Sequence, residues 1–90
     1  GGFYTVQLMV LASKSAENNL VKMLTEDRYR QEAGNFYIFK KKSSPENLFV
    51  FYGEYPSNAL ARLAQKSLQQ FLRKHKPYTI SINGAVAKVR

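Results

Sequence analysis

Apolar and polar positions alternate from the start of the chain. Between Phe3 and Leu11, Tyr4, Val6, Leu8 and Val10 alternate with Phe3, Thr5, Gln7 and Met9, the two-residue period of a strand. The near-continuous apolarity implies that both faces are at least partly covered, or that one of them serves a partner. Ser13 or Ser15 then stands where a side-chain oxygen can cap a helix, and Ala16, Leu20, Met23 and Leu24 form one stripe at helical spacing. Thr25 to Gly34 is polar and ends in glycine, the composition of a connector. Phe36, Tyr37, Ile38 and Phe39 restore strand character between Asn35 and Lys41.

Ser43-Ser44-Pro45-Glu46-Asn47 is rich in turn residues, so the aromatic run Leu48 to Tyr52, closed by Gly53, is expected to fold back as a hairpin. Ser57 is placed to cap the strongest helix of the chain. Leu60, Leu63, Ala64, Leu68, Phe71 and Leu72 mark its expected buried stripe, about four turns long. Pro77 stops that helix, and Tyr78 to Ile82 alternates as a last strand. Asn83-Gly84 breaks the pattern and leaves residues 83–90 as a C-terminal tail.

The resulting order is β-α-β-β-α-β. Two right-handed crossovers interlock this order into a four-stranded antiparallel sheet of spatial order 4-1-3-2, with both helices on one face. The expected fold class is therefore α+β, of the ferredoxin-like or RNP-like kind. Ninety residues make one domain spanning residues 1–90, with Gly1-Gly2 read as the end of a linker or an expression scar.

Helices on one face leave the other bare, and the parity of each strand decides what lies there. Val6, Leu8 and Val10 are the natural inward set of the first strand, because the opposite parity would bury the Gln7 amide at a cost of about 1–3 kcal/mol if unpaired. Thr5, Gln7 and Met9 are then expected on the open face. In the third strand, Leu48, Val50 and Tyr52 oppose Phe49 and Phe51, and in the second, Tyr37 and Phe39 oppose Phe36 and Ile38. No polar marker decides between the two parities there. Either choice places at least two large rings on the uncovered side, where stacking and an amide suit sugars or bases.

Charge narrows the partner. Fourteen Lys and Arg against six Asp and Glu give a formal net charge of +8, which favours nucleic acid, acidic lipid or an anionic envelope polymer. The dense basic runs, Lys40-Lys41-Lys42 and Arg73-Lys74-His75-Lys76, fall beside a turn and at a helix end. Cations there also have a structural reason. The absence of Cys excludes a disulfide scaffold and a thiolate metal site, and a single His excludes His-rich metal centres. Apolar runs reach about five residues, far short of the ~20 that cross a bilayer, so any membrane attachment is expected through a segment outside this sequence.

No catalytic constellation is expected. His75 sits among lysines as a solvated helix-end residue, Glu26-Asp27 is a solvated pair, and Ser13, Ser15 and Ser57 read as caps. The five glycines, at positions 1, 2, 34, 53 and 84, build no phosphate loop, and no cofactor or metal is expected.

Three segments carry a family resemblance. Tyr4-Thr5-Val6-Gln7-Leu8 resembles the opening strand of SPOR domains, the peptidoglycan-binding modules of bacterial cell-division and sporulation proteins. Phe49-Val50-Phe51-Tyr52-Gly53-Glu54-Tyr55-Pro56-Ser57 is similar to the third-strand run, glycine and serine that precede the family's second helix. Lys76-Pro77-Tyr78 resembles the lead into its final strand. The likeness spans nearly the whole chain and is nearest in kind to the DamX-like subgroup.

The resemblance implies a ferredoxin-like, non-catalytic module on the periplasmic side of a membrane-anchored or envelope protein. It implies binding of peptidoglycan glycan strands stripped of stem peptides across the open sheet face, with other division or envelope proteins as further partners. On that reading Gln7, Met9, Tyr37, Phe49 and Phe51 contact the ligand, the two phenylalanines being the outward third-strand pair. Met9-Val10 replaces a Gly-Ser pair common in the family, and Asn47 stands where an aromatic often begins the third strand.

Two alternatives stand beside it. RNA recognition motifs share the element order and an aromatic sheet face, but Glu46-Asn47 occupies the place of their Lys/Arg-Gly lead, which makes nucleic acid the lesser expectation. The other is a protein-interaction domain that has lost glycan binding.

Overall fold

A computed structural model describes residues 2–42 and 46–90; Gly1 and the 43–45 part of the expected turn lie outside the described residues. Strand β1 is Tyr4–Ala12, followed by helix α1 (Ala16–Thr25), a short helix α2 (Asp27–Arg30) and a 3-10 turn at Ala33–Asn35. Strands β2 (Phe36–Lys41) and β3 (Asn47–Tyr55) form the antiparallel hairpin. Then come α3 (Asn58–Ser67), α4 (Gln70–Arg73), β4 (Tyr78–Ser81) and α5 (Ile82–Val89). The sheet order is β2-β3-β1-β4, all antiparallel, which is the expected 4-1-3-2 read from the other edge. The α+β fold and its sheet follow the sequence pattern.

One face of the sheet carries the main core. Val6, Leu8, Leu48 and Val50 meet Ala16 and Leu20 of α1, Tyr29 of α2, and Leu68 and Leu72 from around α4. The α1 stripe is as the spacing predicts: Ala16 and Leu20 are buried, and Met23 and Leu24 pack against the same cluster. Ser57 caps α3 by accepting the Leu60 amide at 3.2 Å. Ser15 stands at the start of α1, but its side chain makes no cap there.

Two bulges set the parity of the central strands. Gln7 pairs with Phe51 and Met9 with Val50, so Leu8 is the extra residue of β1. A bulge lets consecutive side chains point the same way, and Leu8 and Met9 both enter the helix-side core. Met9 is therefore not on the second face as expected, and Val10, expected inward, pairs with Phe49 on that face and is partly exposed. The second bulge lies in β3, where Gly53 adopts φ +72° between the Tyr4–Tyr55 and Val6–Tyr52 pairs. The buried Thr5 hydroxyl closes this bulge by donating to the Gly53 and Tyr52 carbonyls at 2.6 and 3.2 Å.

The connector between α1 and β2 is more structured than its polarity suggests. Tyr29 of α2 is buried, packs edge-on against Phe71 at 5.0 Å, and places its hydroxyl 3.1 Å from His75 Nε2. His75 is thus half-buried and hydrogen-bonded rather than solvated. Glu32 accepts from Tyr52 Oη at 3.0 Å, Asn35 Nδ2 at 3.0 Å and Gln69 Nε2 at 3.3 Å, tying the connector to β3 and α4. Burial, reinforced by that carboxylate, pushes the Tyr52 hydroxyl up to about 12.

The long second helix is interrupted. Ser67 Oγ returns a hydrogen bond to the Leu63 carbonyl at 2.8 Å, and Leu68 and Gln69 leave helical dihedrals before α4 resumes. Ala61, Leu68 and Leu72 are buried as an inward stripe. Leu60 and Leu63, expected in that stripe, are exposed instead, because the helix turns Ala61 toward the sheet.

The largest departure lies at the C-terminus. Residues 83–90 are not a tail: Ser81 accepts the Gly84 amide at 3.0 Å and starts α5, which packs on the sheet face opposite α1 and α3. The Ile82 amide also donates to the Phe3 carbonyl at 2.8 Å, fixing the start of α5 to the N-terminal strand. Helices consequently cover both faces, not one.

Two stability outcomes follow from these contacts. A side chain at Gly53 would be strained by its left-handed φ and would collide with the Tyr55 ring. Gly53→Ala should cost about 1–3 kcal/mol in denaturant unfolding. Burial, then the Lys74 and Arg28 charges, hold the His75 imidazole below its ordinary value. The unfolded chain therefore takes up that proton first. The neutral-His contribution is complete above about pH 6.5 and is lost as pH falls through the lower folded value. Unfolding at about pH 7 and about pH 5.5 should show wild type losing more stability than His75→Gln.

Candidate functional site

The second sheet face is built by Thr5, Gln7 and Val10 of β1, Tyr37 and Phe39 of β2, Phe49 and Phe51 of β3, and Tyr78 and Ile80 of β4, as the strand registers require. Phe49 and Phe51 stack nearly parallel with centroids 6.3 Å apart, and Phe39 meets Phe51 edge-on at 6.0 Å. Helix α5 lies over this aromatic row. Ile82, Ala85, Val86 and Val89 recur at i, i+3, i+4 and i+7, a helical stripe turned to the sheet. Ala85 is buried against Phe49 and Phe51, with Ile80 and Val89 completing a second small core.

Four of the five expected contact residues thus share one face, and Met9 does not. Of those four, three are covered. Phe51 is 2% exposed and Phe49 is also buried beneath α5. Gln7 is 8% exposed, and its Oε1 accepts from Lys88 Nζ at 3.2 Å. Lys88 also bonds the Tyr78 hydroxyl. The amide expected to face a ligand instead anchors the end of α5.

What remains accessible is a groove between α5 and the β2 edge. Thr5, Phe51 and Gly53 form its floor, Tyr37 and Phe39 one wall, and Val86 and Val89 the other, with Glu54 near one end. Tyr37 and Phe39 are 40% and 47% exposed. The groove holds about 120 Å³, well below the roughly 300–1,000 Å³ of pockets that engulf a small molecule. A ligand there lies along the rim, over the two rings.

Among the described residues, no group of three or more His, Cys, Asp or Glu could hold a metal ion, and no buried side-chain polar atom lacks a partner. Sequence reasoning set Phe39 beside Tyr37 without assigning it to the site, and missed Tyr78, Lys88 and the whole of α5. The α5 stripe and its Ser81 cap were the available signal, masked by Gly84. That glycine allows close packing, since a Cβ there would lie 3.3 Å from Ile80.

No family model, curated protein or solved structure matches this chain.

Gln7→Ala should register first as lost stability, because it leaves the part-buried Lys88 ammonium without its amide acceptor. The expected loss is about 1–3 kcal/mol in denaturant unfolding. Unchanged unfolding would show that Gln7 does not hold α5 in place.

Proposed function

We propose that this chain is a non-catalytic, SPOR-like binding module that holds peptidoglycan glycan strands along the groove between β2 and α5. The observation that carries the reading is the pair of half-exposed rings, Tyr37 and Phe39, standing on one side of an apolar groove. The C–H faces of sugar rings pack on aromatic faces of this kind, while Glu54 and the Tyr37 hydroxyl supply hydrogen-bonding groups at the rim. The family resemblance adds the substrate class and the setting: a periplasmic module of a bacterial envelope or cell-division protein, working with other proteins of that assembly.

Nucleic acid is less well served by this face. RNA-binding sheets stack bases on their central strands, and here the central Phe49 and Phe51 are occupied by each other and by α5. A protein partner has one specific observation in its favour. β2 is an edge strand on which Tyr37, Ile38 and Phe39 are consecutively exposed, a pattern that can accept an added strand.

The test is co-sedimentation of the domain with amidase-treated and intact peptidoglycan. Tyr37→Ala with Phe39→Ala should lower retention on peptide-free strands about tenfold or more. The double variant should stay folded, whereas Phe51→Ala should lose about 3–5 kcal/mol of stability as a core truncation. Equal retention of the double variant and wild type would overturn the reading.

A further inference from the structure

We propose that the outer face of α3, with the neighbouring β4 edge, is a docking surface for an anionic phospholipid bilayer. The two ends of the chain differ sharply in charge. All six acidic residues lie at or before Glu54. Residues 55–90 contain none, and carry seven of the fourteen Lys and Arg. In the first part, Arg28 pairs with Glu26, Arg30 with Asp27, and Lys40 with Glu17 and Glu46. Among the described residues, none of the seven later cations has an ion-pair partner.

Four of those cations form a strip. Arg62 and Lys66 share a shallow groove with Tyr78 and Thr79 of β4, and Lys66 shares the adjoining groove with Arg73 and Lys76. The outer side of the same helix also exposes apolar bulk, on the flank past Lys66 and away from the groove with β4. Leu60 and Leu63, one turn apart, are 47% and 61% exposed, and Leu63 lies between Arg62 and Lys66 along the helix.

A soluble polyanion would account for the cations and leave the leucines idle. An anionic bilayer accounts for both. Leucines enter the headgroup boundary while Arg and Lys meet lipid phosphates, the division of labour of interfacial helices. Each cation near such a surface strengthens binding about fivefold.

The experiment is flotation of the whole chain with vesicles of phosphatidylcholine alone, or with about 30% phosphatidylglycerol added to give the negative surface. A single-stranded thymidine oligonucleotide serves as the soluble polyanion. Wild type should bind only the anionic vesicles, less tightly as salt rises. Leu60→Ser with Leu63→Ser, which leaves every charge in place, should weaken vesicle binding about tenfold without changing oligonucleotide binding. Arg62→Gln with Lys66→Gln should weaken it about twenty-five-fold. All four positions lie on the outer side of the helix, so unfolding midpoints should stay near wild type.

Three results would overturn the proposal: equal binding to both vesicle types, indifference to the leucine changes, or tighter binding of the oligonucleotide than of anionic vesicles. Glycan retention is read separately on the Tyr37 and Phe39 variant, so failure at one surface leaves the other decided on its own.

Discussion

Phe49 and Phe51 make the second face of the sheet a surface that has to be covered. Their rings stack over the central strand, flanked by Phe39 and Ile80, and burying an aromatic side chain of this size stabilises by roughly 1.5–3 kcal/mol. Helix α5 supplies the cover. An isolated eight-residue helix has little stability in water, so α5 is helical because Ile82, Ala85, Val86 and Val89 find this row to pack on. Ser81 at one end and Lys88 with Gln7 near the other fix its direction. The shape of the remaining groove, the engagement of Gln7 and the exposure left to Tyr37 and Phe39 all follow from that seating.

Much of the fold was legible because it rests on periodicity. The element order, the α1 stripe through Ala16 and Leu20, the Ser57 cap and the inward Leu68 and Leu72 could all be read from spacing. Parity was legible only where no residue is inserted. The bulge at Leu8 carries Met9 into the core and turns Val10 outward, and nothing in the alternation of Tyr4 to Leu11 signals an extra residue there. In α3 the small Ala61 is the fully buried residue against the sheet, and the larger Leu60 and Leu63 are rotated away. A hydrophobicity pattern ranks leucine above alanine, but close packing of a helix on a sheet favours the smaller side chain where the two backbones approach.

The candidate site was half legible for the same reasons. The resemblance brings Gln7, Tyr37, Phe49 and Phe51 to one face, and the registers do the same. What the spacing could not convey is that a C-terminal segment returns to that face. Gly84 reads as a breaker, yet in the first turn of α5 it allows close approach to Ile80, and Ser81 offsets its poor helical propensity by capping.

The covering of the centre also decides which part of the face can work as a binding surface. A ligand lying across Phe49 and Phe51 would have to displace α5, offer those rings an equivalent apolar cover, and leave Lys88 and Gln7 to find other partners. A ligand resting on Tyr37 and Phe39 displaces nothing and uses rings already held in place, Phe39 by its edge-on packing with Phe51 and both by the hairpin register. Preorganised surface costs less to bind than surface that must first be uncovered. The rim is therefore favoured over the centre, and the aromatic row beneath α5 serves the rim by supporting it.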